Sequence, residues 1–105
     1  MDKTVLEEER ELCGWLAVLD GPYRGEAYRL YAGKTVVGSS PDCDIILPGL
    51  EPKHFSIRCE AGDFFVTDLD TEAGTFVGEE RACRTKIKDQ ERIKAADHLL
   101  AIKII

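Results

Sequence analysis

The sequence predicts an all-β sandwich built from eight to eleven short strands in a single domain. Apolar runs of strand length alternate with polar residues at a period of two, and a period of 3.6 is almost absent. Turn chemistry recurs roughly every ten residues, which is the spacing of a sandwich or barrel. Strong helix formers gather only in Leu6–Leu12, ahead of the patterned region. A chain of 105 residues suits one core and no second lobe.

The elements follow in order. Met1 to Leu12 is polar and acidic, and is expected to be a loose tail or a short helical turn ahead of a domain spanning 13–105. Gly14 to Leu19 is an apolar run closed by Asp20-Gly21-Pro22. Glu26 to Ala32 sets Tyr28, Leu30 and Ala32 on one face and Arg29 on the other. Thr35 to Gly38 is β-branched and ends in Ser39-Ser40-Pro41-Asp42, a turn. Asp44 to Leu47 is short and stops at Pro48-Gly49.

The clearest alternation comes next. His54, Ser56, Arg58 and Glu60 are expected on a polar face, with Phe55, Ile57 and Cys59 on the buried one. Ala61-Gly62-Asp63 turns this run into Phe64 to Asp68, a hairpin. Gly74 to Val77, Ala82 to Ile87, Arg92 to Lys94 and His98 to Ile105 complete the set. The last run ends the sequence inside its strand pattern, as expected of a domain excised from a longer protein.

Composition narrows the function. A net charge of −6 argues against duplex DNA and anionic membrane as partners, which both demand a positive face. The basic residues Arg81, Arg84, Lys86, Lys88, Arg92 and Lys94 read as a solvated strand-and-turn surface. Four cysteines lack CxxC or zinc-ligand spacing, so they are expected to be reduced and mostly in the core, with no metal and no cofactor. No apolar run reaches the length of a membrane span.

Catalysis needs a nucleophile or a metal beside an oriented base. His54 and His98 are the only histidines, and His54 is expected to tie down a neighbouring loop through hydrogen bonds. The pairs Asp42/Asp44 and Asp68/Asp70 read as Asx-turn residues. A hydrolase or metal site on His54 and these acidic turns is the weaker alternative, and no enzyme is expected.

Three ordered stretches, Gly38-Ser-Ser-Pro-Asp-Cys-Asp-Ile-Ile-Leu47, Leu50-Glu-Pro-Lys-His54 and Asp68-Leu-Asp-Thr-Glu-Ala-Gly-Thr75, resemble the landmarks of a forkhead-associated (FHA) domain. The resemblance covers about residues 13–105. It implies an FHA-like sandwich of eleven mostly antiparallel strands that reads partner proteins through loops at one end. Gly38, His54, Gly74 and Thr75 match the fold-supporting positions. The phosphate-reading positions depart from the pattern: Gly38-Ser39 stands for Gly-Arg, Glu51-Pro52-Lys53-His54 for Ser-Arg-x-His, and Ala73-Gly74-Thr75 for Asn-Gly-Thr.

Two lost charge-assisted donors remove about 3–6 kcal/mol of phosphate binding, on the order of a hundred- to ten-thousand-fold in affinity. Glu51 adds like charge where a hydroxyl donor should sit. Lys53, helped by Ser39, Ser40 and Thr71, is a candidate substitute cation, and it defines the alternative of a working phosphothreonine reader. The expected contact surface is therefore Ser39, Ser40, Glu51, Lys53, Thr71 and Ala73, meeting proteins without phosphate. The form of the departure is similar to the cytoplasmic FHA-like domain of type III secretion inner-membrane ring proteins. That resemblance implies a cytoplasmic scaffold whose partners are other subunits of a secretion assembly.

Overall fold

The structure, a computed structural model, describes residues 10–105. The acidic stretch 1–9, and with it most of the expected tail or helical turn, lies outside the described residues.

Eleven strands form two sheets. They are β1 (Leu12–Asp20), β2 (Ala27–Tyr31), β3 (Gly33–Gly38), β4 (Ile45–Ile46), β5 (Phe55–Glu60), β6 (Asp63–Asp68), β7 (Thr75–Val77), β8 (Glu80–Arg81), β9 (Thr85–Ile87), β10 (Arg92–Ala95) and β11 (His98–Ile104). One sheet has six strands in the order β2-β1-β11-β10-β7-β8, and the other five in the order β4-β3-β5-β6-β9. All pairings are antiparallel except β3 with β4.

The inward residues of each strand make one core. Leu16, Leu30, Ile93, Leu100 and Ile102 from the six-stranded sheet meet Val37, Phe55, Ile57, Phe64, Val66 and Ile87 from the other, all essentially inaccessible to water. Burying one such side chain contributes roughly 1.5–3 kcal/mol, which fixes the register, because a slip by one residue would exchange the faces.

The β5–β6 hairpin turns through Ala61 and Gly62, both at positive φ (50° and 83°), between the paired Glu60 and Asp63. This is the two-residue turn whose twist matches its strands. Of the run Ala82 to Ile87, expected as one strand, only Thr85–Ile87 is strand, and Glu80–Arg81 just before the run forms a separate short one. β8 closes the edge of the six-stranded sheet, and the chain crosses through Arg84 (φ 51°) to β9 in the other. The basic run is divided by the same crossing. Arg84 and Lys86 lie with the five-stranded sheet and pair with Glu60 and Asp63 at 3.3 Å each, while Arg92 and Lys94 lie on β10.

All four cysteines are free. Cys43 and Cys59 are buried and Cys13 half-buried, and Cys83 is exposed where the chain crosses between sheets. Burial first, then the neighbouring Cys59, pushes the Cys13 thiol up to about 12, so it stays protonated.

Both described ends of the chain meet at one end of the sandwich, here called the base, where the Ile105 N–H donates to the Cys13 carbonyl at 3.1 Å. The opposite end, the apex, carries the β3–β4, β4–β5 and β6–β7 loops.

Candidate protein-interaction site at the apex

The apex is built from the backbone outward. Gly38 ends β3 against the β4–β5 loop, so close that a Cβ there would collide with the Pro52 and Glu51 carbonyl oxygens. Glycine is required for this approach. The contact lets the Ser39 N–H donate to the Glu51 carbonyl and the Ser40 N–H to the Pro52 carbonyl, each at 3.1 Å. Two loops become one backbone ribbon. Ile46, 46% exposed on the short edge strand β4, gives its rim an apolar point.

His54 pins the third loop. It is completely buried, not on a polar face as the alternation suggested, because the β6–β7 loop folds over it. Its Nδ1 accepts the Glu51 N–H at 3.1 Å, and its Nε2 donates to the Gly74 carbonyl at 3.0 Å. That fixes the tautomer with the proton on Nε2. Gly74 takes φ +81° beside the Phe76 ring, where a Cβ would sit 2.8 Å from the ring edge. A side chain there would be strained on both counts.

Asp68 is the hub of the β6–β7 loop, and sequence reasoning gave it only a turn's role. Its carboxylate accepts from the Thr71 hydroxyl (2.6 Å), the Thr75 hydroxyl (2.9 Å), the Thr71 N–H (3.2 Å) and the Arg81 guanidinium (3.0 Å). Its side chain is only 6% exposed. Burial works against the charge, but the Thr71 hydroxyl, Arg81, the Thr75 hydroxyl and the Thr71 N–H outweigh it and hold the carboxyl below the usual carboxylate range. Arg81 also reaches the Thr71 carbonyl, so the cation nearest this loop is engaged twice.

Glu51 is half-buried, and its Oε2 accepts the N–H groups of Glu72 at 2.9 Å and Ala73 at 3.1 Å. The carboxylate expected to repel anions from the surface is turned back into the fold, joining the β4–β5 loop to the β6–β7 loop. Paired backbone N–H groups of this kind are what an oxyanion seeks, and here the protein's own carboxylate holds them.

Three of the six expected contact residues keep accessible polar side chains or donors toward solvent. Ser39 and Ser40 are half-exposed, and Lys53 is exposed. Lys53 Nζ lies 3.8 Å from Asp42, a carboxylate also held by the Ser40 hydroxyl. The Ser40 hydrogen bond first, then Lys53, lowers the Asp42 pKa. Ala73 is exposed and offers only backbone and a methyl group. Thr71 is a correction to the expected surface. It is 4% exposed, and its hydroxyl is consumed by Asp68 and by the Gly74 N–H at 2.8 Å, so it shapes the loop from within.

His98 is a second pin that the sequence left without a role. Fully buried, it holds the Pro48 carbonyl through Nε2 at 2.9 Å, anchoring the loop after β4 to the start of β11. No group of three or more His, Cys, Asp or Glu among the described residues is arranged to hold a metal ion. No helix among them is long and apolar enough to cross a membrane.

Comparison with known proteins places this architecture. The cytoplasmic domain of PscD, a type III secretion sorting-platform protein from P. aeruginosa, superposes with a TM-score of 0.77 at 13% identity, over 89% of this chain and 81% of that one. The FHA domain of CT664 from Chlamydia trachomatis gives 0.80 at 20% identity, over 89% and 98%. The glycogen accumulation regulator GarA of Mycolicibacterium smegmatis is 36% identical over 67 residues, which are 62% of this chain and 42% of that protein, so the match spans less than half of GarA. The family model for the cytoplasmic domain of the inner membrane component of the type III secretion system matches residues 17–102. With its two sheets, its pinned apex and this match across nearly the whole described chain, the protein belongs to that family and is an FHA-like interaction domain of a type III secretion inner membrane protein.

Proposed function

We propose that this domain is a non-catalytic scaffold module of a type III secretion basal body, working in the cytoplasm and holding neighbouring subunits without reading phosphate. The contact surface runs over Ser39, Ser40, Glu51, Lys53 and Ala73, with Thr71 setting its shape from beneath and Ile46 as apolar rim. One observation carries the reading: the Glu51 carboxylate holds the Glu72 and Ala73 N–H donors. A phosphopeptide would have to displace that carboxylate and then sit beside it, with like charges opposed. Arg81 is committed to Asp68 and Thr71, which leaves Lys53 as the cation on offer.

A phosphothreonine reader is the second reading, and the reach of Lys53 favours it. Its 3.8 Å pair with Asp42 is solvent-exposed and weak, so the ammonium is free to swing.

Titration with a phosphothreonine peptide library and its unphosphorylated counterpart decides between them. Equal binding, or none, by both sets supports the scaffold reading. Phosphate-dependent binding that Lys53→Ala abolishes overturns it. An alanine and crosslinking map of the assembled secretion base tests the surface. Contacts on the apical loops are expected, and a map confined to the sheet faces would refute that choice.

A further inference from the structure

The six-stranded sheet has an outer face with a charge pattern unlike the rest of the molecule. Strand register sets it out in rows, because residues directly opposite in antiparallel strands share a face. Nearest the base, Arg29, Trp15 and Lys103 lie side by side on β2, β1 and β11. The next row holds Ala27, Ala17, Ala101 and Arg92. The row nearest the apex holds Leu99, Lys94 and Phe76, then Arg81.

Side-chain size gives the face its relief. Rows two residues apart are about 7 Å apart along the strands. Ala27 is exposed and Ala17 half-buried, while Ala101 is only 2% exposed beneath its larger neighbours, so the row forms a shallow apolar trough, open over β2 and β1, between two ridges of long and aromatic side chains. Trp15, 37% exposed, forms one wall.

Charge gives it a direction. Arg29, Lys103, Arg92 and Lys94 are all exposed, and none pairs with a carboxylate within 4.0 Å among the described residues. On the five-stranded sheet Arg58, Arg84 and Lys86 each have a carboxylate partner, and only Lys34 on β3 has none among the described residues. On the cationic face the one carboxylate in register is Asp20, at the β1 bulge, and it accepts the Gly21 N–H at 3.0 Å. A protein of net charge −6 thus gathers, around one apolar trough, four cations with no carboxylate partner among the described residues.

We infer that this face is a second docking surface, separate from the apical loops, for an acidic segment of a partner protein carrying an apolar anchor. Carboxylates meet Arg29 and Lys103 on one side and Arg92 and Lys94 on the other, and the anchor lies over Ala27 and Ala17 against Trp15. Aromatic and arginine side chains are the groups that dominate protein interfaces, and complementary charge steers and orients the partner. A polyphosphate chain or a lipid surface fits less well. Both present dense negative charge to the whole molecule, whose net charge repels them, and neither fills an apolar trough.

Trp15 is the only tryptophan, so its emission reports this face alone. The probe is a short peptide of Glu-Glu-Leu repeats, with a Gln-Gln-Leu counterpart, a single-stranded oligonucleotide and anionic vesicles as comparators. Saturable change in Trp15 emission is expected with the Glu peptide and not with the Gln peptide, weakening as ionic strength rises from about 0.05 to about 0.5 M. Arg92→Glu with Lys94→Glu should weaken binding about tenfold or more, and Lys103→Glu should weaken it independently. Lys86→Glu on the opposite sheet should not. Circular dichroism and melting of each variant show that the fold is intact. The inference is overturned by no emission change with the Glu peptide, by equal response to the Gln peptide, by unchanged affinity in the folded charge-reversal variants, or by tighter binding of oligonucleotide or vesicles. None of these outcomes depends on what the apical loops bind.

Discussion

The apex and the outer face of the six-stranded sheet use polar side chains in opposite ways. At the apex the charged groups that build the loops reach partners on another segment: Asp68 with Arg81, Glu51 with two N–H groups, Lys53 with Asp42. On the sheet face Arg29, Lys103, Arg92 and Lys94 lie beside one another with no carboxylate close by among the described residues. Interlocked groups give a surface a fixed form and leave it little attraction for an ion. Unpaired groups on a flat sheet cost the fold some repulsion and leave attraction in reserve. The difference teaches that loops in the position of a phosphate reader need not carry the charge of one, and that charge can reside on a face the loops do not touch.

The sharpest way to break the comparison is to remove the apical hub. Asp68→Ala leaves two threonine hydroxyls and an N–H without their acceptor and should cost about 3–5 kcal/mol, roughly 15 °C or more in melting temperature. A loss within 1 kcal/mol would mean that the apex is not interlocked. The same carboxylate sets a pH dependence. Its folded pKa lies below its unfolded one, so its stabilisation is complete above the unfolded carboxylate range, about pH 4, and is lost as pH falls through the folded value. Asp68→Asn should flatten that acid limb in denaturant titrations run at stepped pH.

His54→Phe keeps an aromatic ring, a larger one, but orphans the Glu51 N–H and the Gly74 carbonyl. A loss of about 2–3 kcal/mol by urea unfolding is expected. Glu51→Ala removes a half-exposed acceptor of two bonds and should cost about 1–2 kcal/mol. Amide exchange sharpens this prediction, since the Glu72 and Ala73 amides should lose protection while the β5–β6 hairpin does not. Lys53→Ala should change stability by less than about 0.5 kcal/mol, because its ion pair is exposed on both sides. A larger effect would place Lys53 inside the network rather than at its edge.

Much of the fold was legible because strand alternation and turn residues are local signals. The Ala61-Gly62 hairpin, the stop at Pro48-Gly49 and the wet Lys103 of the last strand all followed from neighbours in sequence. What failed was long-range. Glu51 looked like a bare repelling charge because its donors lie 21 and 22 residues away, across a loop whose path only the folded chain defines. Asp68 looked like one more turn aspartate, since its partner Arg81 is 13 residues on and read as part of a basic run. That run was misleading for the same reason. The crossing at Arg84 sends its members to different sheets, and Arg92 and Lys94 join Arg29 and Lys103 only through strand order. His54 looked half-wet because nothing local announces the loop that covers it.

The pairing of β1 with β11 at the base has a mechanical consequence. These strands run antiparallel with their outer ends side by side, so a pull between the two ends of the domain would open them like a zipper, one hydrogen-bonded pair at a time. A pull between Ile105 and a partner gripping the apex runs along the strands instead and loads many cross-strand bonds at once. The same domain is then weak as a link stretched from end to end and strong as a strut tensioned from base to tip.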